Sequence, residues 1–293
     1  MSPCPHAARE RGRNRGPDGA RPPHGGPGSV FLLVTLLLLL LAGGCRRERS
    51  AVVLASTTST EDSGLFDALL PAFSAAHPEY AVQLIAVGSG QALELGARGD
   101  ADVLLVHSPA AEAEFMAAGH GVTRAAVMHN DYVILGPAED PAGARGRDAV
   151  HAFRRIAAAG GPFISRGDGS GTEAKELALW ARAGLVPAAP WHVDVGQGMG
   201  ETLAIAGERR AYTLADRGTY LFLRERDGLE VLVEGDPLLF NPYHVIVPRQ
   251  ARNTSGGRAF ATWITGPAAR TLIGRHGVER YGQPLFTPVA AAR

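Results

Sequence analysis

From position 51 onward the chain alternates short, nearly continuous apolar runs with longer stretches in which apolar residues recur every three to four positions. Residues 51–55, 81–87 and 103–106 read as buried strands. Between the first two, Leu65, Phe66, Leu69, Leu70 and Phe73 share one helical face, which His77-Pro78 ends and Pro71 is expected to kink. Residues 91–98 and 110–118 continue the alternation as helices. Further strands are expected at 132–135, 163–164, 231–233 and 244–247. Further helices are expected at 149–159, 172–183 (stopped by Gly184), 201–208, 219–224 and 258–275, with a Pro/Gly/Arg loop at 140–147. Apolar strands followed by helices predict parallel sheets covered on both faces, an α/β architecture, here as two similar lobes.

The first fifty residues do not follow this pattern. Residues 1–29 are rich in Arg, Pro and Gly, and 30–42 form one apolar run of the length of a signal-peptide core, shorter than the roughly 20 residues a membrane span needs. Residues 41–45 (LAGGC) resemble a bacterial lipoprotein processing site, although Ala42 stands where leucine is commoner. That resemblance implies that Cys45 becomes the first residue of the mature chain and carries lipid. The alternative is an ordinary cleaved signal with an incidental cysteine.

The 293 residues carry 29 basic and 29 acidic side chains, and removing residues 1–44 takes away five arginines and two acids, leaving a net charge of −3. No basic footprint for nucleic acid is visible. An anion receptor with this balance works by local geometry, not by a general positive field. Cys4 and Cys45 are the only cysteines, so the processed domain has neither a disulfide nor a thiol nucleophile.

Three strand-to-helix turns share one composition. They are 57–64 (TTSTEDSG), 87–96 (VGSGQALELG) and 165–172 (SRGDGSGT). Each sets Ser, Thr or Gly after an apolar strand and before a helix, where free N–H groups and the positive end of the helix dipole favour an oxyanion. Gly167, Gly169 and Gly171 let main chain approach a ligand, and Arg166 adds a planar fork of donors. Such turns can meet beyond the carboxyl ends of the strands. Capping offers an alternative for each turn: Ser170 with Glu173, and Thr58 with Glu61, have capping-box spacing. A fourth glycine-rich element, 196–203 (GQGMGETL), also opens a helix.

Taken in order, TTSTEDSGL, VGSGQALELGARGDADVLLVH, MHNDYVILGP, SRGDGSGT, GMGETLAIAGERRAYTLADRGTYL and DPLLFNPYHVIV resemble the tungstate-binding proteins of tungstate ABC transporters over nearly the whole mature chain. The resemblance implies a type II periplasmic-binding-protein fold, two α/β lobes, each a mostly parallel sheet flanked by helices, joined by crossover strands. It implies a signal peptide at 1–44, a lipid-bearing tether at 45–50, a first lobe at 51–131 plus 241–293, and a second lobe at 132–240. Thr57, Thr58, Ser59 and Ser89 match its first-lobe hydroxyl turns. Arg166, Ser170, Gly171, Thr172 and Gly200 are the expected second-lobe ligand residues. The implied ligand is tungstate, or molybdate of similar size and charge. The implied partners are an ABC permease and, through Cys45, a membrane, for a monomer working in the periplasm or at the cell surface without cofactor or protein-bound metal cation.

Asp168 distinguishes ligands. It either pairs with Arg166 or a helix-terminal N–H, or accepts a proton from a protonated anion such as hydrogen phosphate, since phosphate-binding proteins of the same fold carry a similar run. Enzyme signatures are missing. GDGSG places its serine fourth, unlike a nucleophile elbow; Lys175 precedes Glu176 and makes no P-loop; and the histidines have no zinc spacing. A phosphate-handling enzyme with Arg166 as a clamp and an oxyanion-sensing module are the competing classes.

Overall fold

In the computed structural model, residues 49–146, 148–223 and 228–290 are described. The expected signal segment and Cys45 lie outside them, as do Arg147 and Arg224. Strand β1 (Ser50–Thr57) pairs in parallel with β2 (Tyr80–Val87) from Ser50↔Tyr80 to Thr57↔Val87, and on its other edge with β3 (Val103–Val106). Strand β9 (Phe240–Pro248) runs antiparallel to β3, and β4 (Gly121–Gly136) antiparallel to β9, with the short β10 (Thr287–Pro288) outside.

Strand β4 is 16 residues long and serves two groups of strands. Its first part, through Asp131, pairs with β9; its second part, from Tyr132, pairs antiparallel with β7 (Thr213–Asp216) and β8 (Glu230–Val233). Strands β5 (Phe163–Ser165) and β6 (His192–Asp194) pair in parallel, and a Phe163↔Tyr212 bridge ties them to the β7 group. The sheet is therefore mixed: the β1–β3 set is parallel, and the crossover strands β4 and β9 are antiparallel.

Helices follow the strands. Around the first group stand α1 (Thr58–Asp62), α2 (Leu65–Ala76), α3 (Ser89–Arg98) and α4 (Pro109–Ala117). Around the second stand α5 (Ala149–Ala159), α6 (Gly171–Ala183), α7 (Met199–Glu208) and α8 (Arg217–Leu223). The chain ends through α9 (Thr254–Ile264), α10 (Pro267–Arg275) and α11 (Val278–Tyr281). Helix α2 is assigned as one helix across Pro71; Pro71 and Asp67, whose carbonyl loses its donor, are both exposed, so water can satisfy that carbonyl. The single helix expected at 258–275 is two, because Pro267 takes the N1 position of α10 and disfavours helix at Gly266. Strand β4 starts eleven residues before the apolar run that announces it, since Val122 to Ala126 are all exposed and carry no hydrophobic signal.

One cluster of buried apolar side chains runs from Val52, Phe73 and Phe260 through Met128 and Tyr243 to Leu203 and Ala215, joining both strand groups. A second, with Tyr132, Phe153, Phe163, Trp180 and Tyr212, lies wholly in the β7 group. Residues from Glu48 to Arg293 accordingly form one compact unit. Among the described residues, no helix is long and apolar enough to cross a membrane.

Candidate functional site

The three turns meet. At the first, Thr57 caps α1, its Oγ1 accepting from Thr60 N at 3.3 Å and lying 2.7 Å from Thr60 Oγ1 and 3.2 Å from Ser59 Oγ. The expected Thr58–Glu61 box does not form, because the cap falls one residue earlier and leaves the Thr58 hydroxyl for another partner. At the second turn, Gly88 caps α3 without a side chain, and Ser89 follows as its first helical residue. At the third, Ser170 Oγ accepts from Glu173 N at 3.2 Å, and Glu173 Oε2 reaches back to Gly169 N. Ser170 thus spends its acceptor on capping α6, as the simpler reading of the sequence has it.

Main chain brings the second and third turns into contact. Gly90 N donates to Gly169 O at 3.4 Å, and a Cβ on Gly88 would sit 3.1 Å from Asp168 O. At Gly171 a Cβ would lie 2.7 Å from His107 O and 3.1 Å from Ser89 Oγ, too close for any side chain without a shift. Gly167 and Gly169, with φ of +59° and +70°, supply the left-handed residues that fold this loop back on itself.

Arg166 stands where the turns converge, with 1 % of its side chain exposed. Its Nη2 donates to Thr58 Oγ1 at 2.9 Å and to Asp168 Oδ2 at 2.5 Å. Asp168 Oδ1 accepts from Ser170 N at 3.1 Å. Asp168 is therefore turned into its own loop as the partner of Arg166 and of a helix-terminal amide, the first of the two roles its sequence position allows. Arg166 Nε and Nη1, Ser89 Oγ and Thr172 Oγ1 are buried and have no hydrogen-bond partner. Each buried polar group left so costs about 1–3 kcal/mol, more where charged. The amides of Gly171 and Thr172, at the start of α6, have no helical carbonyl to bond. One guanidinium fork, two hydroxyls and a helix N-terminus together can replace the hydration shell of a small oxyanion.

Gly200 is placed differently from the expectation. Its N–H donates to Asp62 Oδ2 at 3.3 Å, so a carboxylate of the protein itself takes the amide offered at the start of α7. Thr57 and Ser59 stand beside the convergence but are engaged with each other, and Ser59 Oγ lies 3.3 Å from His107 Nε2.

Several residues of the site were not singled out by the motif reading. His107 Nδ1 lies 3.0 Å from both Asn241 Oδ1 and Tyr132 OH, and burial pushes its pKa down to about 4, so the ring is neutral near pH 7. Asn241 Oδ1 can only accept, which assigns the proton to Nδ1 and leaves Nε2 to accept from Ser59. Asn241 continues through Asn130 to Asp216, a buried carboxylate whose pKa burial raises. Thr219 ties this network to the first turn, its N–H donating to Asp216 Oδ1 at 2.9 Å and its hydroxyl to Ser59 O at 2.8 Å. The available signal was positional: His107 immediately follows β3, at the carboxyl end of a sheet strand. A cavity of about 230 Å³ reaches the cluster, walled in part by His107, Tyr132, Gly171, Lys175 and Asn241.

The chain is similar to known proteins over most of its length. A family model described as a PBP superfamily domain matches residues 45–268. The tungstate-binding protein TupA of Peptoclostridium acidaminophilum is 49% identical over 240 residues, covering 80% of this chain and 84% of that protein. A solved structure of the tungstate ABC transporter from Geobacter sulfurreducens superposes with a TM-score of 0.69 at 44% identity, covering 76% of this chain and 97% of the other. The tungstate-binding protein TupA from Desulfovibrio alaskensis G20 superposes with a TM-score of 0.67 at 40% identity, covering 83% of this chain and all of its own.

Proposed function

Because the chain belongs to the TupA family of tungstate-binding proteins within the PBP superfamily, we propose that it captures tungstate between two lobes and hands it to an ABC permease. The observation that carries this reading is the set of buried, unpartnered donors around Arg166. The lobes are residues 51–131 with 241–293, and residues 132–240. The first contributes Thr58 and Ser89; the second contributes Arg166, Thr172 and the α6 N-terminus. Thr57 and Ser59 hold the first turn in shape, and Ser170 and Gly171 hold the third. The crossover strands β4 and β9 are the hinge, and Arg166 reaches across it to Thr58 when the lobes are together.

Binding proceeds by substitution of donors. The anion gives up water and receives the Arg166 fork, the two hydroxyls and the α6 amides at once, in a space screened from solvent. Asp168 favours a fully deprotonated dianion. Each of its oxygens already accepts one hydrogen bond, from Arg166 and from Ser170 N, which turns it into its own loop and away from a hydroxyl that hydrogen phosphate would bring. Tungstate and molybdate meet this requirement equally. The ligand is bound and released unchanged. Export by the 1–44 signal and a lipid on Cys45 complete the proposal, placing a monomeric receptor at the membrane beside its permease.

Thermal unfolding of residues 46–293 with tungstate, molybdate, sulfate and phosphate tests the assignment. Ligand at a hundred times its dissociation constant adds about 2.7 kcal/mol, a rise of several degrees in midpoint. A rise with tungstate and little with sulfate or phosphate is expected; a rise with phosphate alone would move the ligand to phosphate. Persistent membrane association of a Cys45→Ser variant would remove the lipid anchor.

A further inference from the structure

We propose that oxyanion capture by this protein is coupled to uptake of a proton at Asp62, a residue that touches the opposite lobe and not the ligand. The inference rests on the reading of capture between two lobes. Asp62 ends α1, the helix that begins with Thr58, and its Oδ2 accepts from Gly200 N on α7 at 3.3 Å. Bringing the lobes together therefore moves this carboxylate from water into the seam between them. A Cβ on Gly200 would lie 3.6 Å from Asp62 Oδ2, so the seam is in van der Waals contact at that point.

The charges around Asp62 disfavour its ionised form. Glu201 faces it from the first turn of α7, and Asp216 from the head of α8. Arg166 lowers the Asp62 pKa, and Asp168 already partly neutralises that cation, while Arg217 at the start of α8 is paired with Asp131 and Glu234. Of the other elements packed against α1, helix α2 carries Asp67, on its exposed side, β1 brings no titratable side chain, and β2 brings Tyr80, which pairs with Ser50 at the end of the strand away from α1. A dianion placed against Arg166 consumes the remaining positive field and adds two negative charges nearby. Burial, the largest cause, already lifts the Asp62 carboxyl to about 6, with the Gly200 amide working in the opposite direction.

The sign follows from linkage. A carboxyl with a higher pKa in the joined lobes than in water favours joining when protonated. Affinity therefore rises as pH falls through the window above its solution value, and the bound dianion extends that window toward neutrality.

Calorimetric titration of the intact exported chain with sodium tungstate at pH 6.5, repeated in buffers of different ionisation enthalpy, reads the coupling directly. The expected slope corresponds to uptake of about half a proton, equivalent to a roughly threefold gain in affinity for each unit of pH lowered. Asp62→Asn keeps the acceptor for Gly200 N and is expected to bind tungstate with the slope abolished. A zero slope in the unmodified protein, alongside a clear binding heat, overturns the proposal. An undiminished slope in Asp62→Asn also overturns it, and loss of that slope in Asp216→Asn would move the proton there. If neither tungstate nor molybdate gives heat, the reading of oxyanion capture fails and takes this proposal with it.

Discussion

Two glycine-rich helix starts around the same group of strands, 165–172 before α6 and 196–203 before α7, look alike in sequence and behave differently in the fold. At the α6 start the donors of Arg166 and Thr172 have no protein partner, and the one acid of the loop, Asp168, is held by Arg166 and Ser170 N. At the α7 start the Gly200 amide is given to Asp62, which arrives from 138 positions away. Small residues and a helix N-terminus do not by themselves make an anion site. What matters is which amides the protein's own carboxylates take: before α6, Glu173 and Asp168 accept from Gly169 N and Ser170 N and leave the Gly171 and Thr172 amides, whereas at α7 Asp62 accepts from Gly200 N inside the first turn.

The comparison can be broken most severely at Arg166. Arg166→Ala should weaken tungstate binding by about 2–5 kcal/mol, as for removal of one member of a buried charge pair; calorimetry showing near-normal affinity would take Arg166 out of the site. The neutral ring of His107, beneath the first turn, is the next largest effect. Its lowered pKa means that the unfolded chain binds a proton more readily than the fold, so its contribution is complete above about 6.5 and is lost as pH falls toward 4. The loss is about 3 kcal/mol, and denaturant midpoints between pH 7 and pH 4 should fall less in a His107→Gln variant.

Gly171→Ala forces a Cβ against His107 O and should cost roughly 1–3 kcal/mol in stability or in binding. A variant with the midpoint and affinity of the parent would mean that the α6 start relaxes freely. Ser89→Ala and Thr172→Ala should each weaken binding by about 0.5–1.5 kcal/mol while leaving unliganded stability equal or slightly higher, because each removes an unsatisfied buried hydroxyl. Gly200→Ala is the smallest change. Nothing comes nearer than 3.4 Å to the added Cβ, so affinity and midpoint should stay within about 0.5 kcal/mol. A large loss there would show that the two helix starts do the same work after all.

Much of this was legible along the chain, for local reasons. Strand β3 was placed to the residue because Val103 to Val106 are apolar throughout and buried on both faces. Helix α5 was placed to the residue because its buried face, Ala149, Ala152, Phe153 and Ile156, repeats at helical spacing. The approximate starts of α3 and α6 were readable from their glycine and serine turns. Strand β7 had no such signal. Its four residues run from Thr213 to Asp216 with polar ends and too few positions for a period, and they are strand because β4 pairs with them from Tyr132 to Leu135. The exposed first half of β4 was equally silent, since its backbone is satisfied by β9 and its side chains face water.

By itself the sequence determined the order of strands and helices, the three hydroxyl-rich turns at strand ends and the single arginine among them, because the backbone period and the identity of donors are local properties. The tertiary structure alone decided that Thr57 and not Thr58 makes the cap, that Asp168 belongs to Arg166, that Gly200 belongs to Asp62, and that Ser89 and Thr172 are left with hydrogen bonds to offer. Satisfaction of a polar group depends on which distant residues the fold brings within about 3 Å of it. No pattern along the chain carries that distance.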